Sequence, residues 1–295
     1  MSVGERLKDR VRGAVNTVVH GYEYGRHLVR GNKVSADMSW TRPDVPPVVL
    51  VHGFMGTRGT MLPLTRRFQR DGRVVFSYAY GTLNLASIRR SAEDLAHQLR
   101  GICEKLEVDR VDVVGYSMGG LIGLHAVKFL QGQNYIRNLV MMGSPLRGTW
   151  VGLAGVATCG AFSPSVWQVL PGSAFLEDLL SAPVPAGVRL RQIHAASDAF
   201  CPPPGPIEGV AARDYIMLAG GHSSLVVAAH FYDACCEFFE VPGANQADAS
   251  ADRDHGDEPE YVFERVRETP QPGSVRLVAN DYAEPPEQAE HDAAE

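Results

Sequence analysis

Residues 110–127, RVDVVGYSMGGLIGLHAV, decide the fold, because a buried strand passes through one sharp turn directly into a helix. The apolar, β-branched run at 110–115 predicts a strand that is covered on both faces, and residues 118–130 have the spacing of a helix. Gly115 and Gly119 stand two residues before and two residues after Ser117. A serine on so sharp a turn has a strained backbone, and small neighbours avoid collisions with it. The stretch therefore predicts a nucleophile elbow.

Strand-like and helix-like segments alternate on both sides of this stretch. Strands are predicted at residues 48–51, 74–80, 110–115, 136–142, 188–194 and 215–218, and helices at 87–106, 118–130 and 224–239. Such alternation is typical of a mostly parallel sheet flanked by helices, and the continuous apolar strands fit burial on both faces. The predicted fold class is α/β.

Composition and charge narrow the choice of protein class. Hydrophobic residues make up 45% of the chain, which argues against wholesale disorder. The formal charge is −6, but residues 241–295 alone hold six Asp and eight Glu against four Arg. That stretch carries −10, so the acidity belongs to the end of the chain. Basic residues form no stripe with interleaved aromatic residues, so we expect no nucleic-acid partner.

Two segments flank the predicted α/β domain of residues 41–240. Residues 1–40 form an N-terminal amphipathic helical segment, whose apolar residues recur at intervals of three or four over 3–19. This helix either docks on the domain or makes a peripheral contact with a lipid surface. Residues 241–295 form an acidic, largely flexible extension, in which YVFERVR and SVRLVAN can pair as a β-hairpin.

The remaining sequence signals concern location and covalent or metal chemistry. Five scattered cysteines without a C-x-x-C pair predict neither a disulfide framework nor a zinc site. The charged start lacks a signal peptide, and no apolar run is long enough to span a bilayer. A cytoplasmic location is the default expectation, with secretion left open if a leader is missing. No oligomeric state is predicted.

Residues 146–186 interrupt the alternation with a long apolar insertion. It is rich in large apolar residues broken by Gly and Pro, and it is too long for an ordinary connection. We expect a cap or lid over the site, with Trp150, Phe162, Trp167 and Leu170 binding substrate. The alternative is that these residues merely pack the insertion on the sheet, because pockets and cores share a composition.

Five motifs, in this order, resemble bacterial lipases and esterases of the α/β-hydrolase superfamily. They are VLVHGFMG (49–56), VVGYSMGG (113–120), MGSPLRGT (142–149), the Asp198-x-x-Cys-Pro-Pro run and GGHSSL (220–225). The resemblance extends over residues 46–240 and implies hydrolysis of carboxylic esters, commonly of lipids, through an acyl-serine intermediate. Cys201 departs from the family, whose members often carry an aliphatic residue there. No cofactor is implied, and no Asp/Asn cluster predicts a structural calcium site.

The resemblance, combined with the chemistry of serine, suggests a triad. A serine hydroxyl needs an imidazole to accept its proton and a carboxylate to orient that imidazole. His222 lies in the loop before the last helix, and the other nine histidines fall in helices, in a strand, near the termini or, for His52, at a strand end with another role. Asp198 follows the predicted strand at 188–194. The nearest competitors for the acid are Glu208, Asp214 and Asp178.

The oxyanion of acyl transfer needs fixed backbone N–H donors. One is expected from Met118, which directly follows Ser117 at the start of a helix. The second is expected from Phe54, in the loop after the first strand. His52 at the end of that strand is the tempting base, but its position better suits shaping of this loop by hydrogen bonding.

The sequence thus predicts a serine hydrolase acting on hydrophobic or lipid esters, with the triad Ser117, Asp198 and His222. An acyltransferase, a thioesterase or a polyester depolymerase would use the same residues, since a fold does not fix the acceptor or leaving group. A non-catalytic binding protein that keeps the fold is the alternative from another class.

Overall fold

The computed structural model describes residues 18–32, 41–78, 85–150 and 163–239. Most of the predicted helix at 3–19, the predicted hairpin in the acidic extension and Phe162 lie outside these ranges. Residues 18–29 are helical, and we call this helix α1.

A six-stranded parallel sheet forms the centre of the domain. Its strands are β1 (Val48–Val51), β2 (Val75–Ser77), β3 (Val111–Tyr116), β4 (Ile136–Met142), β5 (Arg189–Ala195) and β6 (Tyr215–Leu218). Their spatial order is β2-β1-β3-β4-β5-β6, and every neighbouring pair is parallel. The predicted α/β class is confirmed, and β3 lies inside the sheet. Val51 is level with Gly115, and Tyr116 with Met142, so β1, β3 and β4 end at one edge.

Helices cover both faces of the sheet. They are α2 (Leu62–Arg70), α3 (Ile88–Leu106), α4 (Met118–Phe129), α5 (Pro164–Gln168), α6 (Ala174–Ser181), α7 (Ser224–Val227) and α8 (Ala229–Phe239). One buried cluster joins α3, α4 and α6 to the sheet, and a second joins α2, α7 and α8 to it. The sequence missed α2. The helix predicted at 224–239 is broken at Ala228, whose backbone is extended (ψ 139°).

The described part of the apolar insertion packs on the domain. Phe175, Leu176 and Leu179 of α6 are buried in the cluster that includes α4. The Lys128 ammonium of α4 donates to the carbonyls of Leu179 (2.8 Å) and Ala182 (2.6 Å), at the end of α6. These contacts match the packing alternative for this part of the insertion. The predicted lid is not confirmed, because residues 151–162 lie outside the described ranges.

A buried ionic cluster holds the start of β3. The Asp112 carboxylate is fully buried and pairs with the fully buried Arg73 guanidinium. It also accepts hydrogen bonds from Arg137 (2.9 and 3.0 Å) and from the Asn138 amide (2.7 Å). A buried carboxylate with several charge-assisted donors is costly to disturb, since removal of one partner leaves an uncompensated charge. This cluster therefore fixes the strand at the end opposite Ser117.

None of the helices within the described residues has the length and apolar character that a bilayer crossing requires.

Three buried histidines predict a loss of stability in acid. Burial lowers the pKa of His52, His125 and His194 to about 4 in each case. The unfolded chain binds protons near pH 6.5, so it takes up more protons than the native state between these values. As pH falls from about 6.5 towards 4, we expect each of these histidines to lower the free energy of unfolding by up to about 3 kcal/mol. The change should be visible by urea denaturation at about pH 7.5 and about pH 5.

The His194→Gln variant removes one of these three groups and should show a smaller difference between the two pH values than the wild type. Equal unfolding free energies of the wild type at both pH values would contradict the prediction.

Candidate active site

Ser117 stands at the turn between β3 and α4, in a backbone conformation that side chains rarely adopt. Its φ is 55° and its ψ is −125°. The Ser117 N–H donates to the Met142 carbonyl at 2.8 Å, which ties the turn to the end of β4. Non-glycine residues with positive φ cost energy and cluster at functional sites. The strained backbone of Ser117 therefore points to a functional role for this residue.

The glycines around Ser117 are required by the close crossing of α4 over the strand ends. A Cβ on Gly115 would lie 2.5 Å from the Gly120 nitrogen, and a Cβ on Gly119 would collide with the Val51 carbonyl oxygen. On Gly120 it would collide with the Ser144 hydroxyl. Real Cβ atoms essentially never approach so closely. All three positions exclude a side chain for steric reasons, as the sequence pattern predicted for Gly115 and Gly119.

His222 and Asp198 form a hydrogen-bonded pair beside this turn. His222 Nδ1 is 2.7 Å from Asp198 Oδ2, and the Asp198 side chain is fully buried. The other carboxylate oxygen, Oδ1, accepts the amides of Phe200 (2.9 Å) and Cys201 (2.8 Å). The carboxylate is thus fixed by three hydrogen bonds, and the imidazole is oriented by one of them.

Contacts through neighbouring residues bring this pair close to Ser117. The Tyr116 ring is 4.9 Å from the His222 ring, and the Tyr116 hydroxyl donates to the His222 carbonyl at 3.3 Å. A Cβ on Gly143, the residue after Met142, would lie 3.3 Å from both Asp198 Oδ2 and His222 Cε1. The ends of β3 and β4 and the loops after β5 and β6 therefore meet around Ser117, His222 and Asp198.

Cys201 contacts the same group. Its buried thiol hydrogen bonds with the side chain of Ser117, and burial raises its pKa well above the ordinary value. The thiol is therefore protonated at neutral pH and acts as a neutral neighbour of Ser117. The sequence marked Cys201 only as a departure from the family, and gave no sign that it touches the serine.

The competing acids are engaged elsewhere. Asp214 pairs with Arg191 at 2.8 Å, and Asp178 pairs with Arg89 on the surface at 2.7 Å. Glu208 is exposed, and its negative charge interacts with the Lys128 ammonium group. Of the four candidate acids, Asp198 is the one for which the structure describes a contact with His222.

The loop after β1 lies against Ser117, as the sequence predicted for an oxyanion site. A Cβ on Gly53 would stand 2.8 Å from Ser117 Cβ and 3.2 Å from Ser117 Oγ. Phe54 follows in this loop and packs partly buried against the core, whereas Met118 is the buried first residue of α4. First-turn amides of an α-helix have no carbonyl within the helix to bind. The two predicted donors thus belong to the two segments that border Ser117.

His52 shapes that loop. Its ring is buried, Nδ1 lies 3.1 Å from the Gly53 carbonyl oxygen, and burial lowers the pKa to about 4. The neutral ring can donate its Nδ1 proton to that carbonyl, which agrees with the part that the sequence predicted for it.

The four expected substrate-binding residues differ in their exposure to solvent, and one of them lies outside the described residues. Trp150 and Trp167 are 69% and 51% exposed, Leu170 is half-buried, and Phe162 lies outside the described residues. The Thr149 hydroxyl, next to Trp150, donates to the Phe200 carbonyl and so links this segment to the Asp198 loop. Phe200 itself was not predicted. It is 54% exposed and its ring is 5.7 Å from that of His222.

Within the described ranges, no three His, Cys, Asp or Glu side chains are grouped so as to hold a metal ion.

Comparisons with known proteins agree with this architecture. A sequence model described as "alpha/beta hydrolase fold" matches residues 46–155. The 2-hydroxy-6-oxo-2,4-heptadienoate hydrolase of Pseudomonas putida is 34% identical over 106 residues, which are 33% of this chain and 37% of that enzyme. The chain thus spans about a third of the length of the curated relatives it matches.

Solved lipase structures share the fold. The mature lipase BlEst2 of Bacillus licheniformis superposes with a TM-score of 0.57 at 14% identity, over 70% of this chain and 97% of that one. Lipase B of Aspergillus fumigatus gives a TM-score of 0.57 at 16% identity, over 73% of this chain and 57% of that one. The chain has the α/β-hydrolase fold, and the resemblance inferred from its motifs is confirmed at that level.

The close crossing of α4 over the strand ends predicts that alanine substitutions at Gly119 and Gly101 have opposite effects on stability. Gly119→Ala forces a Cβ into the Val51 carbonyl, so we expect it to lower the unfolding free energy by at least about 3 kcal/mol or to prevent folding. Gly101→Ala, in the middle of α3, meets nothing within 4 Å and should raise the unfolding free energy by about 0.5–1 kcal/mol. Urea denaturation measures both. Equal stabilities of the two variants would contradict the steric argument.

Proposed function

We propose that this chain, which has the α/β-hydrolase fold, is a serine hydrolase of carboxylic esters. Ser117 is the nucleophile, His222 the general base and acid, and Asp198 the residue that orients the imidazole. The observation that carries the proposal is the 2.7 Å contact between His222 Nδ1 and Asp198 Oδ2 beside a serine at positive φ. This combination supplies a base with a fixed tautomer next to the hydroxyl of a half-buried serine on a sharp turn.

In the proposed reaction the Ser117 oxygen forms a bond to the ester carbonyl carbon, and its proton passes to His222 Nε2. The tetrahedral intermediate then expels the alcohol, which takes that proton from His222. A water molecule attacks the acyl-serine in the second half, with His222 again accepting and returning a proton. The ester and one water molecule thus give the alcohol and the carboxylic acid, Ser117 is regenerated, and no cofactor enters the balance.

The Asp198 loop serves this reaction by holding the carboxylate still. Because Phe200 and Cys201 amides occupy Oδ1, the remaining oxygen Oδ2 faces Nδ1 of His222. That contact keeps the Nδ1 proton in place and leaves Nε2 free to accept the serine proton. The imidazolium that forms during attack is stabilised by the same carboxylate.

The amides of Met118 and Phe54 are proposed as the oxyanion donors. Met118 is the first residue of α4, where the helix dipole favours negative charge. Phe54 follows Gly53, whose lack of a side chain lets the loop approach Ser117. Two preorganised donors at a developing oxyanion each contribute about 3 kcal/mol in comparable sites.

We propose an apolar ester, of which a lipid ester is one kind, as substrate. Phe200 borders His222, and Met55, which is 41% exposed, lies in the loop that borders Ser117. Trp150, Trp167 and Leu170 add apolar surface from the insertion segment and are proposed as further contacts to the acyl or alcohol group. Exposed apolar side chains around a polar reactive group are typical of sites for amphipathic ligands.

Removal of the nucleophile or of the orienting acid tests the mechanism. A fluorophosphonate probe should label the wild type and leave Ser117→Ala unlabelled, because the probe phosphonylates only an activated serine. Asp198→Asn should retain the fold but lower kcat for p-nitrophenyl butyrate by about 10³- to 10⁴-fold, since the imidazole loses its orienting charge. A wild-type protein that neither reacts with the probe nor hydrolyses the ester would contradict the proposal.

A chain-length series tests the apolar substrate. With p-nitrophenyl esters of increasing acyl length, Phe200→Ala should raise KM progressively, by up to about tenfold for the longer chains. The matched control is Phe129→Ala, which removes a ring that is 42% exposed at the far end of α4. A KM that is independent of chain length in the wild type, or an equal effect of both variants, would contradict this part of the proposal.

A further inference from the structure

One face of α1 contacts the loop that carries His222. His20 and Tyr24 are four residues apart, so they lie on the same side of the helix. Val18, Tyr22 and Val29 lie on another side and are 72%, 69% and 88% exposed. The polar contacts of α1 are thus directed at the site described above, although α1 precedes the domain that resembles known hydrolases.

The first contact reaches the loop just after His222. His20 Nδ1 is 2.8 Å from Ser224 Oγ, and the same oxygen accepts the Gly221 N–H at 3.1 Å. Burial lowers the pKa of His20, which favours a neutral ring, and the Nδ1 of a neutral ring can accept the Ser224 hydroxyl proton. Ser224 therefore links α1 to the amide directly preceding His222.

The second contact reaches the carbonyl of His222 itself. The hydroxyl of Tyr24 hydrogen bonds with those of Tyr116 and Thr60, and the rings of Tyr24 and Tyr116 are 6.0 Å apart. The Tyr116 hydroxyl in turn donates to the His222 carbonyl at 3.3 Å. The backbone on both sides of the His222 side chain is thereby connected to α1.

The end of the same segment contacts the residues that follow the Phe54 loop. The Gly59 amide donates to the Gly31 carbonyl at 3.1 Å, and the Arg58 amide donates to Asn32 Oδ1 at 3.0 Å. Gly59 lies shortly after the loop of Phe54, so residues 18–32 connect this region to the loop after β6.

We infer that His20 and Tyr24 are positioning residues, which hold the Gly221–Ser224 loop so that His222 stays aligned between Asp198 and Ser117. The inference rests on the proposed function, because it assigns these residues a part in that reaction. They touch neither substrate nor reacting atoms. Their effect is on the geometry of proton transfer, which is sensitive to small displacements of the base.

The experiment uses the full chain and four single substitutions. Tyr24→Phe removes one hydroxyl, and Tyr22→Phe removes the same group from an exposed ring on the same helix as the matched control. His20→Ala removes the contact with Ser224, and His20→Asn restores a hydrogen-bonding atom near the place of Nδ1. For each we would measure kcat and KM with p-nitrophenyl butyrate, the rate of fluorophosphonate labelling, and the thermal midpoint.

We expect Tyr24→Phe and His20→Ala each to lower kcat and the labelling rate by about threefold to tenfold with KM unchanged. His20→Asn should recover most of the loss, and Tyr22→Phe should match the wild type. A purely structural part for α1 would lower the thermal midpoint of the variants and leave kcat of the folded enzyme unchanged.

Amide hydrogen exchange gives a readout that needs no substrate. In His20→Ala and Tyr24→Phe, peptides covering residues 220–226 should exchange faster, whereas peptides from the interior of β4 should not. Unchanged kcat, labelling and exchange in the folded variants would overturn the inference, as would a change confined to KM. An inactive, unlabelled wild type would instead refute the proposed function, and the exchange comparison would still show whether α1 holds the loop.

Discussion

The site depends on how closely α4 crosses the ends of β1, β3 and β4. The backbone of the helix start comes so near to Val51 and Ser144 that no side chain fits at Gly119 or Gly120. This crossing forces the turn at Ser117 into positive φ and presents its hydroxyl to the loops after β5 and β6. Looser packing of α4 on the strand ends would relax the turn and move the Ser117 hydroxyl away from the His222 ring. The strain is maintained because the surrounding strands leave the chain no alternative path.

Such strain needs a rigid support, and β3 is held at both ends. At its start, Asp112 is buried among Arg73, Arg137 and Asn138. At its end, the Ser117 amide is bound to β4. Because β3 is paired on both edges and covered on both faces, displacement of the serine would require movement of the sheet itself. On the other two loops, the Asp198 carboxylate is held by two backbone amides, and the His222 ring is held by that carboxylate.

Much of this arrangement is predictable from residue patterns, and the exceptions have physical causes. The buried strands and the elbow follow from apolar runs and glycine spacing, and the ranges of β1, β4 and β6 agree with the sequence. Helix α2 was missed because its polar face and Pro63 obscure the apolar period. The contacts of Cys201 with Ser117, and of His20 with Ser224, could not be predicted, since each joins residues far apart in the chain that share no motif. Asp198 was favoured as the acid because it follows the strand predicted at 188–194, and its carboxylate lies 2.7 Å from His222 Nδ1.

The contact between His20 and Ser224 joins residues that are 204 positions apart. During synthesis on the ribosome, α1 is therefore made long before the loop that His20 contacts, whereas residues 58–60, which the same segment also contacts, follow soon after it. Asp198 and His222 also follow Ser117 along the chain, after β5 and after β6. In the proposed reaction Ser117 therefore gains its orienting acid and its base only when the chain has been made as far as residue 222, so reactivity is coupled to synthesis of the last strands.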